Sequence, residues 1–69
     1  MKLTVGSNVK FIREKKSMSQ AKLSDVSGVP QTTISGIEGG KIPTLIIAKK
    51  LADALGVTTD DLLRESQMT

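Results

Sequence analysis

Residues 19–41 read SQAKLSDVSGVPQTTISGIEGGK, and two short helices separated by a sharp turn can be read from them directly. Ser19 is a good N-cap, because its side-chain oxygen can accept from an orphan amide of the next turn, so a helix starts at Gln20 with Leu23 as its inward anchor. Gly28 then falls where a left-handed residue would end that helix, since glycine carries no Cβ to clash there. The chain turns at Ser27-Gly28-Val29. Pro30 opens the next helix, as the first helical residue needs no amide donor and proline presets its φ. Ile34 and Ile37 face inward, Gly39 and Gly40 stop the helix, and Pro43 forbids its continuation.

Working outward, Val5, Val9 and Ile12 recur at helical spacing and paint one stripe on a first helix that ends near Lys16, where Ser17 and Met18 interrupt it. Downstream, Thr44 caps a helix whose stripe is Ile47, Ala48, Leu51, Ala52 and Leu55 and which stops at Gly56. Thr58, Asp60 and Asp61 begin a last short helix, with acids at the positive end of its dipole and Leu62 and Leu63 as its apolar pair. Ser66 to Thr69 is expected to fray. With no repeat, linker or low-complexity tract, residues 1–69 are read as one all-α domain of five helices, the paired short helices spanning about 20–39.

Composition narrows the function. A chain of 69 residues without His or Cys lacks the usual metal ligands, the thiol nucleophile and the commonest general base. No enzyme, metal site or cofactor is expected. The longest apolar run, Leu45 to Ala48, is far too short for a membrane span or a signal-peptide core, so a cytoplasmic protein is expected. The net charge of +3 is uneven: seven of the ten basic residues, but three of the seven acidic ones, lie before residue 42. That front-loaded field suits a polyanion, and a solvated helix face would look similar. Phe11 is the single aromatic, so there is no stacking platform for single-stranded nucleic acid.

Helix, glycine turn, helix is the arrangement in which the second helix lies in the major groove of DNA and its first side chains reach base edges. At this level the sequence resembles the Cro/CI-type, or xenobiotic-response-element-type, helix-turn-helix regulators of bacteria and phages, whose fold is lambda-repressor-like. The resemblance rests on residues 19–41, on PTLIIAKKLADALGVTTDDLL at 43–63 and on the lead-in IREKKSMSQ at 12–20. It covers nearly the whole chain.

The resemblance implies that Gln20 grips a phosphate, that Gln31, Thr32 and Ser35 point into the groove, and that Thr33 and Lys41 hold the flanking backbone. Gln31 can bond bidentately to an adenine edge, and Thr32 offers a hydroxyl and a methyl. Gln and Thr are also ordinary polar helix starters. It further implies a salt bridge between Arg13 and Glu38, with Arg13 alternatively leaning on a phosphate. Lys10, Lys15, Lys16 and Lys22 add to the general attraction through counterion release.

Several positions depart from the family pattern. Gly36 stands where a longer side chain is usual, which removes a base contact and costs the helix about 1 kcal/mol relative to alanine. Few direct base contacts and a larger share of backbone and DNA-shape readout are expected. Pro30 replaces the usual Ser or Thr cap, and the loop Lys41-Ile42-Pro43 is one residue shorter than common. Phe11, Val26 and Ile46 add apolar surface where polar residues are more frequent, and are expected to pack at the core's edge.

The functional expectation is a double-stranded DNA-binding regulator, a repressor acting as a homodimer on a near-palindromic operator. Leu63 and Met68 are the candidate dimer contacts. The alternative is an antitoxin-like module that binds a protein partner and DNA secondarily.

Overall fold

The computed structural model describes residues 5–63, so the expected fraying at Ser66–Thr69 and the candidate contact Met68 lie outside the described residues. Five helices follow one another: α1 (Val5–Lys15), α2 (Gln20–Ser27), α3 (Gln31–Glu38), α4 (Leu45–Leu55) and α5 (Thr59–Leu63). Among the described residues there is no strand. The all-α expectation and its five elements hold.

Local chemistry sets most of the boundaries. The Ser19 hydroxyl accepts from the Lys22 amide at 3.0 Å and starts α2, and the Thr44 hydroxyl accepts from the Ile47 amide at 3.2 Å and starts α4. Thr58 and Asp61 form a reciprocal pair at the head of α5: the Thr58 amide donates to Asp61 Oδ2 and the Asp61 amide to Thr58 Oγ1. Gly28 sits at φ 76°, and its amide donates to the Ser24 carbonyl. This left-handed residue turns the chain between α2 and α3.

One boundary differs from expectation, and another is met by a geometry of its own. Pro30 is the N-cap and not the first helical residue; its ψ of 142° is extended, and α3 begins at Gln31. Pro30's carbonyl nevertheless accepts from the Thr33 and Ile34 amides, so the helix is entered without a side-chain cap. Helix α1 ends in a left-handed serine, Ser17 at φ 56°, with the Met18 amide donating back to the Arg13 carbonyl at 3.0 Å. A tight C-terminal cap is what interrupts the first stripe there.

The core is built from Val9 and Ile12 of α1, Leu23 of α2, Val29 of the turn, Ile34 and Ile37 of α3, Leu51, Ala52 and Leu55 of α4, and Leu62 of α5. Helix α1 packs on α3 and α5, α2 on α3 and α4, and α4 on α5. Every helix thus contributes to a single core, which holds α2 and α3 from behind and leaves the outer face of α3 open. Phe11 packs against this core as expected. Val26 and Ile46 do not: Val26 is 48% exposed and Ile46 69% exposed, because α2 and α4 turn those positions away from the apolar stripe.

Polar groups also enter the interior. Asn8 lies on the same helical face as Val5, Val9 and Ile12, and its Nδ2 donates to the Leu62 carbonyl at 2.7 Å, tying α1 to the end of α5. Among the described residues no buried side-chain polar atom lacks a hydrogen bond. Such satisfaction is what makes polar burial tolerable in a small core.

Candidate nucleic-acid interface

Helix α3 has two faces. Ile34 and Ile37 are buried, whereas Gln31, Thr32 and Ser35 are exposed and Thr33 and Gly36 are half-buried. At 3.6 residues per turn, Thr32 and Gly36 project about 40° apart and Ser35 about 60° from Thr32, all on the side away from the core. Gln31 stands beside them in the first turn. The structure therefore brings the three expected base-reading residues onto one solvent-facing surface. Lys41 is exposed just beyond the C-terminal end of α3 and borders the same surface, together with Thr33.

What fixes the angle between α2 and α3 is a charged cluster behind them. Arg13 Nε donates to Glu38 Oε2 at 2.7 Å and Nη2 to Oε1 at 3.1 Å, a bidentate pair with side chains only 10% and 5% exposed. Arg13 Nη1 donates to the Met18 carbonyl at 2.7 Å, and Gln20 Nε2 donates to Glu38 Oε1 at 3.0 Å. The Glu38 carboxylate thereby links α1, α2 and α3, and Arg13 ties the α1–α2 turn to the same cluster. Burial alone would push the Glu38 carboxyl up, but the hydrogen bonds from Arg13 and Gln20 and the charges of Arg13 and Lys10 outweigh it and hold the group below its ordinary range. The hydrogen bond to Glu38 raises the Arg13 guanidinium in turn, against the opposing effect of burial.

This geometry redistributes two of the expected backbone contacts. Arg13 is buried and its guanidinium is committed to Glu38 and the Met18 carbonyl, the salt-bridge arrangement of its two expected uses. Gln20 is half-buried with its amide nitrogen on Glu38. Its side chain belongs to the scaffold in this state. Lys10, Lys15, Lys16 and Lys22 are all exposed. Lys15 Nζ lies 5.8 Å from the Phe11 ring centroid, a cation–π contact worth little at an exposed site.

Sequence reasoning passed over Gly6 and Asn8. Gly6 is buried where α1 meets the end of α3, and Asn8 carries the α1–α5 hydrogen bond. Each had a signal: a glycine inside a helix asks for a packing reason, and an asparagine on an apolar face asks for a partner.

A recognition-type helix presented on a scaffold of four others, its polar face outward, its end paired to α1 by a buried ion pair and its partner helix α2 tied to the same carboxylate through Gln20, defines a helix-turn-helix DNA-binding domain. Residues 9–62 match the helix-turn-helix family model, and the chain belongs to the Cro/CI-type helix-turn-helix family of transcriptional regulators. It is 36% identical over 70 residues to an uncharacterized HTH-type transcriptional regulator, y4dJ, of Sinorhizobium fredii, covering 100% of this chain and 91% of that protein. Its fold superposes with a TM-score of 0.80 on the crystal structure of the restriction-modification controller protein C.AhdI from Aeromonas hydrophila, at 30% identity, covering 87% of this chain and 92% of that one. Among the described residues no helix is long and apolar enough to cross a membrane.

Proposed function

We propose that this regulator binds a specific double-stranded DNA site by placing α3 in the major groove, and that it acts as a homodimeric repressor on a near-palindromic operator by occupying promoter DNA in the cytoplasm. The reading is carried by the outer face of α3, where Gln31, Thr32 and Ser35 are exposed on a helix whose opposite side is anchored in the core. Gln31 reads a base edge, with Thr32 and Ser35 supporting it at short reach; Thr33, Lys41 and the second N–H of the Gln20 side-chain amide, the first being given to Glu38, hold phosphates. Function is binding, not catalysis.

The dimer reading is supported by an apolar surface that no other element covers among the described residues. Leu62 is buried in the core while Leu63 beside it is 53% exposed, and Ile42, Leu45 and Ile46 are 86%, 79% and 69% exposed. Clustered exposed apolar side chains mark association surfaces more often than solvated ones do. Selecting bound sequences from random duplexes tests the whole reading: an enriched two-fold-symmetric site is expected, and equal affinity for every duplex overturns it.

A further inference from the structure

We propose that Gly36 is a positioning residue for Lys41: it leaves the space in which the Lys41 stem lies, and so carries the Lys41 ammonium onto the groove-facing side of α3 to grip a phosphate beside Thr32. The inference rests on the DNA-binding reading above and adds to it a coupling between two residues.

The end of α3 brings the two together. Amides of Gly39 and Lys41 both donate to the Gly36 carbonyl, at 3.2 and 3.0 Å, and Gly40 at φ 121° sends the chain back alongside the helix. A Cβ placed on Gly36 would meet Lys41 Cδ at 3.4 Å. The methylene stem therefore runs over the bare backbone of position 36, in the groove that Thr32, Thr33 and Gly36 line. A single methyl group at position 36 would just touch the stem, and a longer side chain directed the same way would take its place.

Lys41 is exposed and, among the described residues, none of the ion pairs involves it. Long basic side chains commonly lay an apolar stem on a surface and project the charge beyond it. Gly36 shares its face with Thr32 and Ser35, so a stem lying over it projects the charge toward whatever α3 faces. The position at which a base-reading side chain is missing is thus overlain by the apolar stem of a cation from the following loop.

Two measurements test this. In the free protein, a nuclear Overhauser contact between Gly36 Hα and Lys41 Hδ protons is expected; its absence overturns the seat. On a selected duplex, Lys41→Ala is expected to flatten the dependence of log K on log salt by about 0.9, one phosphate contact. Gly36→Leu should flatten it equally, Gly36→Ala should leave it at the wild-type value, and Gly36→Leu with Lys41→Ala should lose no more slope than either alone. A wild-type slope in Gly36→Leu, or slope losses that sum in the double variant, overturns the coupling. Thermal melts confirm that each variant folds, and Gly36→Met replaces Gly36→Leu if the latter does not. A wild type that binds no duplex would instead overturn the DNA-binding reading, and the free-protein contact would still report on the seat.

Discussion

Gly6 of α1 lies against the backbone carbonyl of Ile37 in α3, so closely that a Cβ at position 6 would overlap the carbonyl oxygen. The obstacle is backbone, which cannot swing aside as a flexible side chain would. Glycine therefore sets how near the first helix approaches the end of the DNA-facing one. Alanine would gain about 1 kcal/mol of helix propensity at this position, but forced separation of packed elements costs about 1–3 kcal/mol. The net cost is up to about 2 kcal/mol, and Gly6→Ala is expected to lower the melting temperature, by as much as about 10 °C. An unchanged or higher melting temperature would show that α1 can move away without loss.

Ser17 offers the opposite case. It holds φ 56° at the end of α1, a conformation that costs an L-residue with a Cβ roughly 1 kcal/mol. Its side chain is exposed, so replacing it removes little packing. Ser17→Gly should stabilise the domain by about 0.5–1 kcal/mol in urea titration, because the cap geometry suits glycine. Destabilisation would mean that the gain in unfolded-chain entropy exceeds the relief of strain.

Glu38 makes the fold sensitive to acid in a defined direction. Its carboxyl is held below the ordinary range in the folded state, so its contribution is fully present above the unfolded value, about 4.3, and is lost as pH falls through the folded one. Glu38→Gln should cost about 3 kcal/mol near neutral pH, since it leaves the buried Arg13 guanidinium without its counter-charge. The gap between wild type and variant should then narrow as pH drops below about 4.3. Parallel stability curves across that window would exclude Glu38 as the titrating group.

The helix limits were legible because they are decided by neighbours in the chain: Ser19, Gly28, Thr44 and Gly56 each act on backbone groups within four residues. The Arg13–Glu38 pair was reached through the family resemblance, and the two residues are 25 positions apart. What lay beyond the sequence was competition for the same side chain. Gln20 and Arg13 are plausible phosphate ligands by type, yet both point their nitrogens at one buried carboxylate, and only the packing of α1 against α3 puts that carboxylate within reach. Gly6 escaped for the same reason, since its role depends on a carbonyl 31 residues away. Val26 and Ile46 were expected at the core's edge on apolarity alone, which does not determine the side of the helix they occupy.

Gln31 is the longest uncharged side chain on the outer face of α3, and it stands on the first turn, where a groove-bound helix comes closest to base edges. Its neighbours Thr32 and Ser35 are short and Gly36 has no side chain. Discrimination should therefore be concentrated at one base pair in each half-site. Gln31→Ala is expected to relax the selected sequence at that position, at about 1–3 kcal/mol per contact, while leaving the melting temperature nearly unchanged. Uniform weakening over all duplexes would reassign Gln31 to backbone positioning.

Leu63 and Leu45 should govern association if the exposed apolar surface is where two copies meet. Both are well exposed, and both line one apolar recess that also includes Ile42. Carbon surface of this kind contributes about 25 cal/mol per Å² when covered, whereas a buried unpaired charge is costly. Leu45→Glu and Leu63→Lys should each shift sedimentation at micromolar concentration toward the monomer, with thermal stability at low concentration little changed because neither side chain belongs to the core. DNA affinity should then fall much more on a two-half-site duplex than on a single half-site, since only the former draws on the second copy. Wild type that sediments as a monomer both with and without operator would remove the dimer from the mechanism, and the domain would then have to bind one half-site by α3 and its backbone contacts alone.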